Sequence, residues 1–166
     1  CALPISRFNQ RDFFGDEVLS IKNLSKSFDG RTLFSDVELE VGGGERIALI
    51  GDNGTGKSTL IKLLMEEEYP DEGRIKFGPS VKTAYLPQIV TFDVPERNLV
   101  DTMLYSKRNI TPQTARDRLA AFHFTGEDVF KSVSVLSGGE LSRLKLCILM
   151  DEEVNLLILD EPTNHL

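Results

Sequence analysis

Apolar and polar residues alternate from Val18 to Leu24 and again from Val37 to Val41, where the order is Val-Glu-Leu-Glu-Val. Period two is the signature of strands with one covered face. Asp29-Gly30 and Gly42-Gly43-Gly44 are turn signals. The continuous apolar run Ile47-Ala48-Leu49-Ile50 predicts a buried strand, and Leu60 to Met65 predicts a helix. Pro70-Asp71-Glu72-Gly73 reads as a turn, followed by two short strands at Arg74–Phe77 and Val81–Leu86. The pattern becomes helical from Asn98 to Tyr105 and from Pro112 to Phe124. Thr111 is placed as the cap of the second of these, Pro112 as its first residue, and Leu119, Phe122 and His123 as one face. A longer helix is predicted from Ser137-Gly138-Gly139-Glu140 to about Met150, with Leu141, Leu144 and Ile148 as its buried stripe. Asn155 to Asp160 is a strand whose run Leu156-Leu157-Ile158-Leu159 suits burial on both faces of a parallel sheet. Residues 1–17, with Phe8, Phe13 and Phe14 among Arg7, Asn9, Gln10, Arg11 and Asp12, read as the end of a linker. No internal repeat or low-complexity segment interrupts this order.

Between the apolar run and the first helix stands Gly51-Asp52-Asn53-Gly54-Thr55-Gly56-Lys57-Ser58-Thr59, which fits G-x-x-x-x-G-K-[ST] between a strand and a helix. Each residue type has a task on a phosphate chain. The glycines let the backbone curl so that successive N–H groups point at an anion. A helix beginning at Lys57 adds the positive end of its dipole. Lys57 brings a full charge to the β- and γ-phosphates, and Ser58 offers a hydroxyl to Mg²⁺.

Other residues extend this chemistry. Asp160 ends a buried apolar strand, where a carboxylate is placed to hold Mg²⁺ directly or through water. Glu161 beside it can polarise an attacking water. Gln88, at the end of Thr83-Ala84-Tyr85-Leu86-Pro87, carries an amide able to meet both Mg²⁺ and water. Ser137-Gly138-Gly139 at a helix start makes a second anion site, while Ser137 with Glu140 three residues on also reads as a capping box. Phe28, ahead of Asp29-Gly30, could stack on an adenine ring, although core packing is the default for an isolated phenylalanine. His123 reads as a packed helix residue, and the acidic run Glu66-Glu67-Glu68 as a solvated face.

Composition narrows the partners. The chain has 166 residues, 40% of them hydrophobic, enough for one domain with a core. Its net charge of −7 disfavours a nucleic-acid surface on this stretch. Two cysteines, Cys1 and Cys147, make no disulfide framework and favour a reducing, cytoplasmic setting, with Cys147 as a small buried hydrophobe. The apolar runs fall short of the roughly 20 residues of a membrane span, and the first residues lack the order of a secretory signal.

Five elements now stand in one order: Gly51 to Thr59, Gln88, Leu136-Ser137-Gly138-Gly139-Glu140, Leu156 to Glu161, and the upstream aromatic in Leu24-Ser25-Lys26-Ser27-Phe28. Over residues 18–166 the chain resembles the nucleotide-binding domain of ATP-binding-cassette (ABC) proteins. The resemblance implies an α/β P-loop NTPase fold with a parallel core sheet and an N-terminal antiparallel β-subdomain that supplies Phe28 to the base. It also implies a helical signature subdomain over about 89–150. Two cassettes would sandwich two ATP molecules head to tail, with Ser137, Gly138, Gly139 and Glu140 touching the ATP of the opposite cassette. The binding set would be Phe28, Gly51, Asp52, Asn53, Gly54, Thr55, Gly56, Lys57, Ser58, Thr59, Gln88 and the signature residues; Ser58, Gln88 and Asp160 would serve Mg²⁺, and Glu161 catalysis.

The ending Glu161-Pro162-Thr163-Asn164-His165-Leu166 resembles the ABC-F subfamily, where transporter cassettes more often carry small residues in place of Asn164-His165. Arg7 to Gly15 and Phe122 to Asp128 resemble the second cassette of such a protein. ABC-F proteins are two-cassette ATPases without a membrane domain that bind the ribosome near the tRNA exit site. The resemblance therefore implies ribosome contact through regions outside this chain; the alternative is the ATP-binding subunit of a membrane transporter. The family's switch histidine lies on a later strand, so His165 is not that residue. The family's sheet also places that later strand between the phosphate-loop and Asp160 strands. Leaving two buried strands unpaired there would cost about 1–3 kcal/mol per polar group. The chain is accordingly expected to be a piece of a longer protein whose C-terminal part is missing, one that alone binds ATP weakly and associates through open strand edges.

Overall fold

The computed structural model describes residues 17–107, 109–150 and 154–160. They fall into two compact units, divided in sequence between Thr83 and Ala84. The linker reading of residues 1–17 lies outside the described residues except at Glu17, which is already in a strand; Glu161, expected to be catalytic, and the Pro162–Leu166 ending also lie outside them.

The first unit is built on strands β1 (Glu17–Phe28), β2 (Arg31–Gly42) and β3 (Glu72–Phe77), with helix α1 (Lys57–Leu64). Its three-stranded sheet has the order β2-β1-β3, and both pairings are antiparallel. Asp29-Gly30 closes the β1–β2 hairpin across the Phe28–Arg31 pair, as the dipeptide predicts. Leu19, Ile21 and Leu24 of β1 are buried with Val41 and Leu63, and Phe34, Leu39, Leu60, Ile75 and Phe77 pack around them. The alternation read in β1 and β2 thus becomes one apolar face covered by α1.

Two expectations for this unit are corrected. Ile47–Ile50 is not a strand: residues 45–52 are in neither helix nor sheet, and Ile50 is 90% exposed. A strand needs a neighbour for its N–H and C=O groups, and the sheet β2-β1-β3 pairs among its own members. The Pro70–Gly73 turn is shorter than expected, because β3 already begins at Glu72. Gly73 sits inside the strand with φ +84°, facing a bulge of β1 at Asn23.

The second unit contains β4 (Thr83–Leu86), α2 (Leu99–Ser106), α3 (Pro112–Ala121), α4 (Gly138–Met150) and β5 (Leu156–Leu159); all but Thr83 fall after the division. Short 3₁₀ turns occupy Gly126–Phe130 and Val133–Val135. The caps are those the residue types predict. The Asn98 side chain accepts from the Asp101 N–H at α2, and Thr111 accepts from the Thr114 N–H at α3. Leu99, Met103, Leu119, Phe124, Leu144 and Cys147 form the centre of this unit's core. Cys147 is buried, its sulfur 4.0 Å from that of Met103.

The α3 stripe is corrected at its end. The helix stops at Ala121, Leu119 is buried, and His123 lies beyond the cap with φ +65°. The Phe124 N–H donates to the Leu119 carbonyl and the His123 N–H to the Ala120 carbonyl, the pattern of a Schellman motif. On α4, Leu144 and Ile148 are buried and Leu141 is half-buried. The β5 run is half-buried to exposed rather than covered on both faces, because among the described residues its sheet has β4 as the single neighbour.

Candidate functional site

The phosphate loop and α1 lie in the first unit. Gly56 holds φ +99° and immediately precedes α1, a conformation open to glycine at little cost. A Cβ there would stand 3.0 Å from Cδ1 of Phe34 and 3.3 Å from Cβ of Leu33, so β2 packs directly under the loop. No side chain caps the start of α1, which leaves the N–H groups of its first turn directed at whatever lies in front of the loop. The Lys57 ammonium donates to the carbonyl oxygens of Gly51 and Asp52, 2.5 and 2.8 Å away. The Thr55 hydroxyl donates to the Asp52 carbonyl at 2.9 Å. Residues 51–55 and Ser58 are exposed, and Gly56, Lys57 and Thr59 are half-buried. The result is an accessible loop with a lysine at its mouth and a helix dipole behind it. Those features fit a polyphosphate, and the Ser58 hydroxyl is accessible to a metal that accompanies one.

Phe28 is also in this unit, at the tip of β1. Core packing was the default for it, but the ring is 43% exposed. The Lys26 ammonium lies 4.8 Å from the ring centroid. Sequence reading passed over Lys26 as a residue of function. The signal was its position two residues before Phe28, which puts both side chains on one face of β1.

In the second unit, Gln88 is an exposed residue in a bend just after β4. Asp160 follows β5, its N–H donating to the Leu86 carbonyl at 3.0 Å and its Oδ2 accepting from the Tyr85 hydroxyl at 3.3 Å. The β4–β5 sheet therefore sets the positions of both Gln88 and Asp160. Among the described residues no cluster of three His, Cys, Asp or Glu side chains could enclose a metal.

Ser137 precedes α4 and makes the capping box its spacing predicts. The Glu140 N–H donates to Ser137 Oγ at 3.4 Å, while Glu140 Oε2 accepts from the Ser137 N–H at 2.8 Å and from its hydroxyl at 2.6 Å. These bonds, the hydroxyl's first, hold the Glu140 carboxyl below its ordinary pKa. The approach to this cap is braced by Ser132, whose hydroxyl donates to the Pro95 carbonyl at 2.7 Å, and by the Ser134 N–H, which bonds the same carbonyl. Gly138 and Gly139 form the first turn of α4.

Among the described residues no helix is long and apolar enough to cross a membrane. The family described as ABC transporter matches residues 34–164. The protein YdiF of Bacillus subtilis is 40% identical over 92% of this chain and 24% of its own length. The energy-dependent translational throttle protein EttA of Mycobacterium tuberculosis is 36% identical over 92% of this chain and 28% of its own. ABC transporter F family member 5 of Arabidopsis thaliana is 36% identical over 96% of this chain and 23% of its own. This chain thus spans about a quarter of the curated relatives it matches. Among solved structures, an ATP-binding subunit of an ABC transporter superposes with a TM-score of 0.69 at 26% identity, covering 87% of this chain and 66% of that one. The expected ABC-type P-loop fold and the resemblance to ABC-F proteins are both borne out.

Proposed function

The chain belongs to the ABC transporter family as an ATP-binding cassette, and we propose that it is one cassette of a cytoplasmic ABC-F ATPase acting on the ribosome. The observation that carries the ATP part is the Gly51–Thr59 segment, exposed over residues 51–55, with Gly56 at φ +99° leading into an uncapped helix and Lys57 at the mouth. Support for the ribosome comes from the translational role in the name of EttA and from the F-family relative.

In this reading the loop N–H groups and Lys57 bind the β- and γ-phosphates, and Phe28 stacks on the base. Ser58, Gln88 and Asp160 are the residues that would each offer an oxygen to Mg²⁺, which would neutralise charge on the phosphates. Glu161 accepts a proton from the attacking water. Ser137, Gly138, Gly139 and Glu140 present the start of α4 to ATP held by a second cassette, so hydrolysis needs both. The capping box is compatible with this, because it occupies Glu140 Oε2 and leaves the first-turn N–H groups of Gly138 and Gly139 to the ligand.

A second reading, the ATP-hydrolysing subunit of a membrane transporter, is favoured by the solved ATP-binding subunit of that kind. Co-sedimentation with ribosomes separates the two. The full-length protein carries Glu161→Gln and the matching change in its other cassette, with and without ATP. Loss of the base should leave ATP bound. Capture in the ribosome pellet only with ATP is the expected result; a protein that stays in the supernatant or follows membranes overturns the ribosome reading.

A further inference from the structure

The Lys26 side chain is an unusual group to find where it is. The residue is 8% exposed, two residues before the end of β1, and its ammonium donates to the Tyr69 carbonyl at 2.7 Å and to Asp71 Oδ1 at 3.4 Å. Glu68 Oε2 lies 4.0 Å away. Asp71 also accepts from the Ser27 N–H at 2.7 Å through Oδ2, and its own N–H donates to the Ser25 carbonyl at 3.0 Å. The segment 68–71 is therefore stitched to β1 on both sides of Lys26. With its hydrogen bonds directed at that segment, the ammonium still lies 4.8 Å from the centroid of the Phe28 ring.

The charge is thus anchored by partners that belong neither to Phe28 nor to the turn after it. A buried ammonium with fixed partners cannot wander, because moving would strand both the charge and its acceptors. Resting against the ring, it restricts a side chain that at a hairpin tip would otherwise sample several rotamers. It also draws on the ring's π density from one side, which favours an electron-rich aromatic against the other. We propose that Lys26 is a positioning residue for nucleobase recognition: it holds Phe28 as a preset platform onto which the purine of the nucleotide stacks. This rests on the reading of Phe28 as the base contact.

The test compares ATP with inorganic tripolyphosphate, which shares the phosphates and lacks the base. Dissociation constants for both are measured by calorimetry on the full-length protein with Phe28→Ala, Lys26→Met, Lys26→Arg and the Phe28→Ala/Lys26→Met double change. Phe28→Ala is expected to weaken ATP about tenfold, the scale of one base–aromatic stack, and to leave tripolyphosphate unchanged. Lys26→Met is expected to weaken ATP about three- to fivefold with tripolyphosphate again unchanged. Lys26→Arg should restore ATP affinity, and the double change should be no weaker than Phe28→Ala alone. A Lys26→Met protein that loses both ligands equally, or neither, while Phe28→Ala selectively loses ATP, overturns the role of Lys26. An unchanged ratio in Phe28→Ala overturns the base contact itself. Should Lys26→Met fail to fold, Lys26→Gln, which keeps a donor for the Tyr69 carbonyl and removes the charge, is read against the same two ligands: a selective loss of ATP is expected, and an unchanged ratio overturns the role of Lys26.

Discussion

The Lys57 ammonium bonds the carbonyl oxygen of Gly51, six residues earlier, and so closes the phosphate loop on itself. The same ammonium reaches the Asp52 carbonyl. Its partners are backbone atoms of its own loop, so the lysine shapes the site without tying it to the core. Replacing it should therefore separate binding from stability. Lys57→Met is expected to weaken ATP by about 10- to 100-fold, the range for a lost charge-assisted hydrogen bond. The melting temperature should stay within a few degrees. Calorimetric titration beside a thermal melt checks both. A large fall in melting temperature with intact binding would reverse the assignment.

Gly73 presses on Asn23. A Cβ at Gly73 would stand 2.3 Å from the Asn23 carbonyl oxygen, and φ is +84°. The obstacle is backbone held in a bulge, so it cannot swing aside. Gly73→Ala should cost about 3 kcal/mol or more, combining overpacking with left-handed strain. Urea unfolding of the full-length protein would show it as a drop in midpoint, and an unchanged midpoint would refute the close approach.

Two helices end on residues that are not glycine where the backbone is left-handed. Glu66 follows α1 with φ +58°, and its N–H bonds the Leu63 carbonyl while the Glu67 N–H bonds that of Lys62. His123 plays the same part after α3. Glycine at either place removes the Cβ clash and should stabilise by about 0.5–1 kcal/mol after its greater unfolded-state entropy is counted. Glu66→Gly and His123→Gly are expected to raise the melting temperature, each separately and additively, since they lie in different units.

The capping box has a pH signature. Glu140 is held below its ordinary value by the Ser137 hydroxyl and N–H. A depressed folded-state value means stability that is present above the unfolded carboxyl value of 4.5 and lost as pH falls through the folded one. Glu140→Gln should therefore lower stability at neutral pH and flatten its decline in acid, so that the two proteins converge as pH falls through the folded value. Ser137→Ala should cost about 1 kcal/mol by removing the cap. Melts across a pH series on the three proteins check this. An equal acid decline in Glu140→Gln would discard the link.

The two glycine-rich segments were legible because their chemistry is local. The turn at Gly51–Gly56, the helix that starts at Lys57 and the box between Ser137 and Glu140 are each held by hydrogen bonds spanning about one turn of backbone, so spacing alone predicts them. The caps at Asn98 and Thr111 and the Asp29-Gly30 hairpin belong to the same class. Other features depended on partners far along the chain. Ile47–Ile50 has the apolar run of a strand, but a strand exists only where another backbone meets it. The half-covered β5 and the early start of β3 have the same origin.

By itself, the order of residues determined that this protein carries a phosphate loop, a capped signature helix and an ABC-type fold, because those properties reside in short contiguous motifs and their spacing. Only the tertiary structure decided that Phe28 is an exposed ring rather than a core residue, that Lys26 lies against it, and that Gly73 must stay bare beneath Asn23. For Lys26 and Gly73 the deciding atoms belong to a segment more than twenty residues away, and the burial and close approach they impose arise only when the chain has folded.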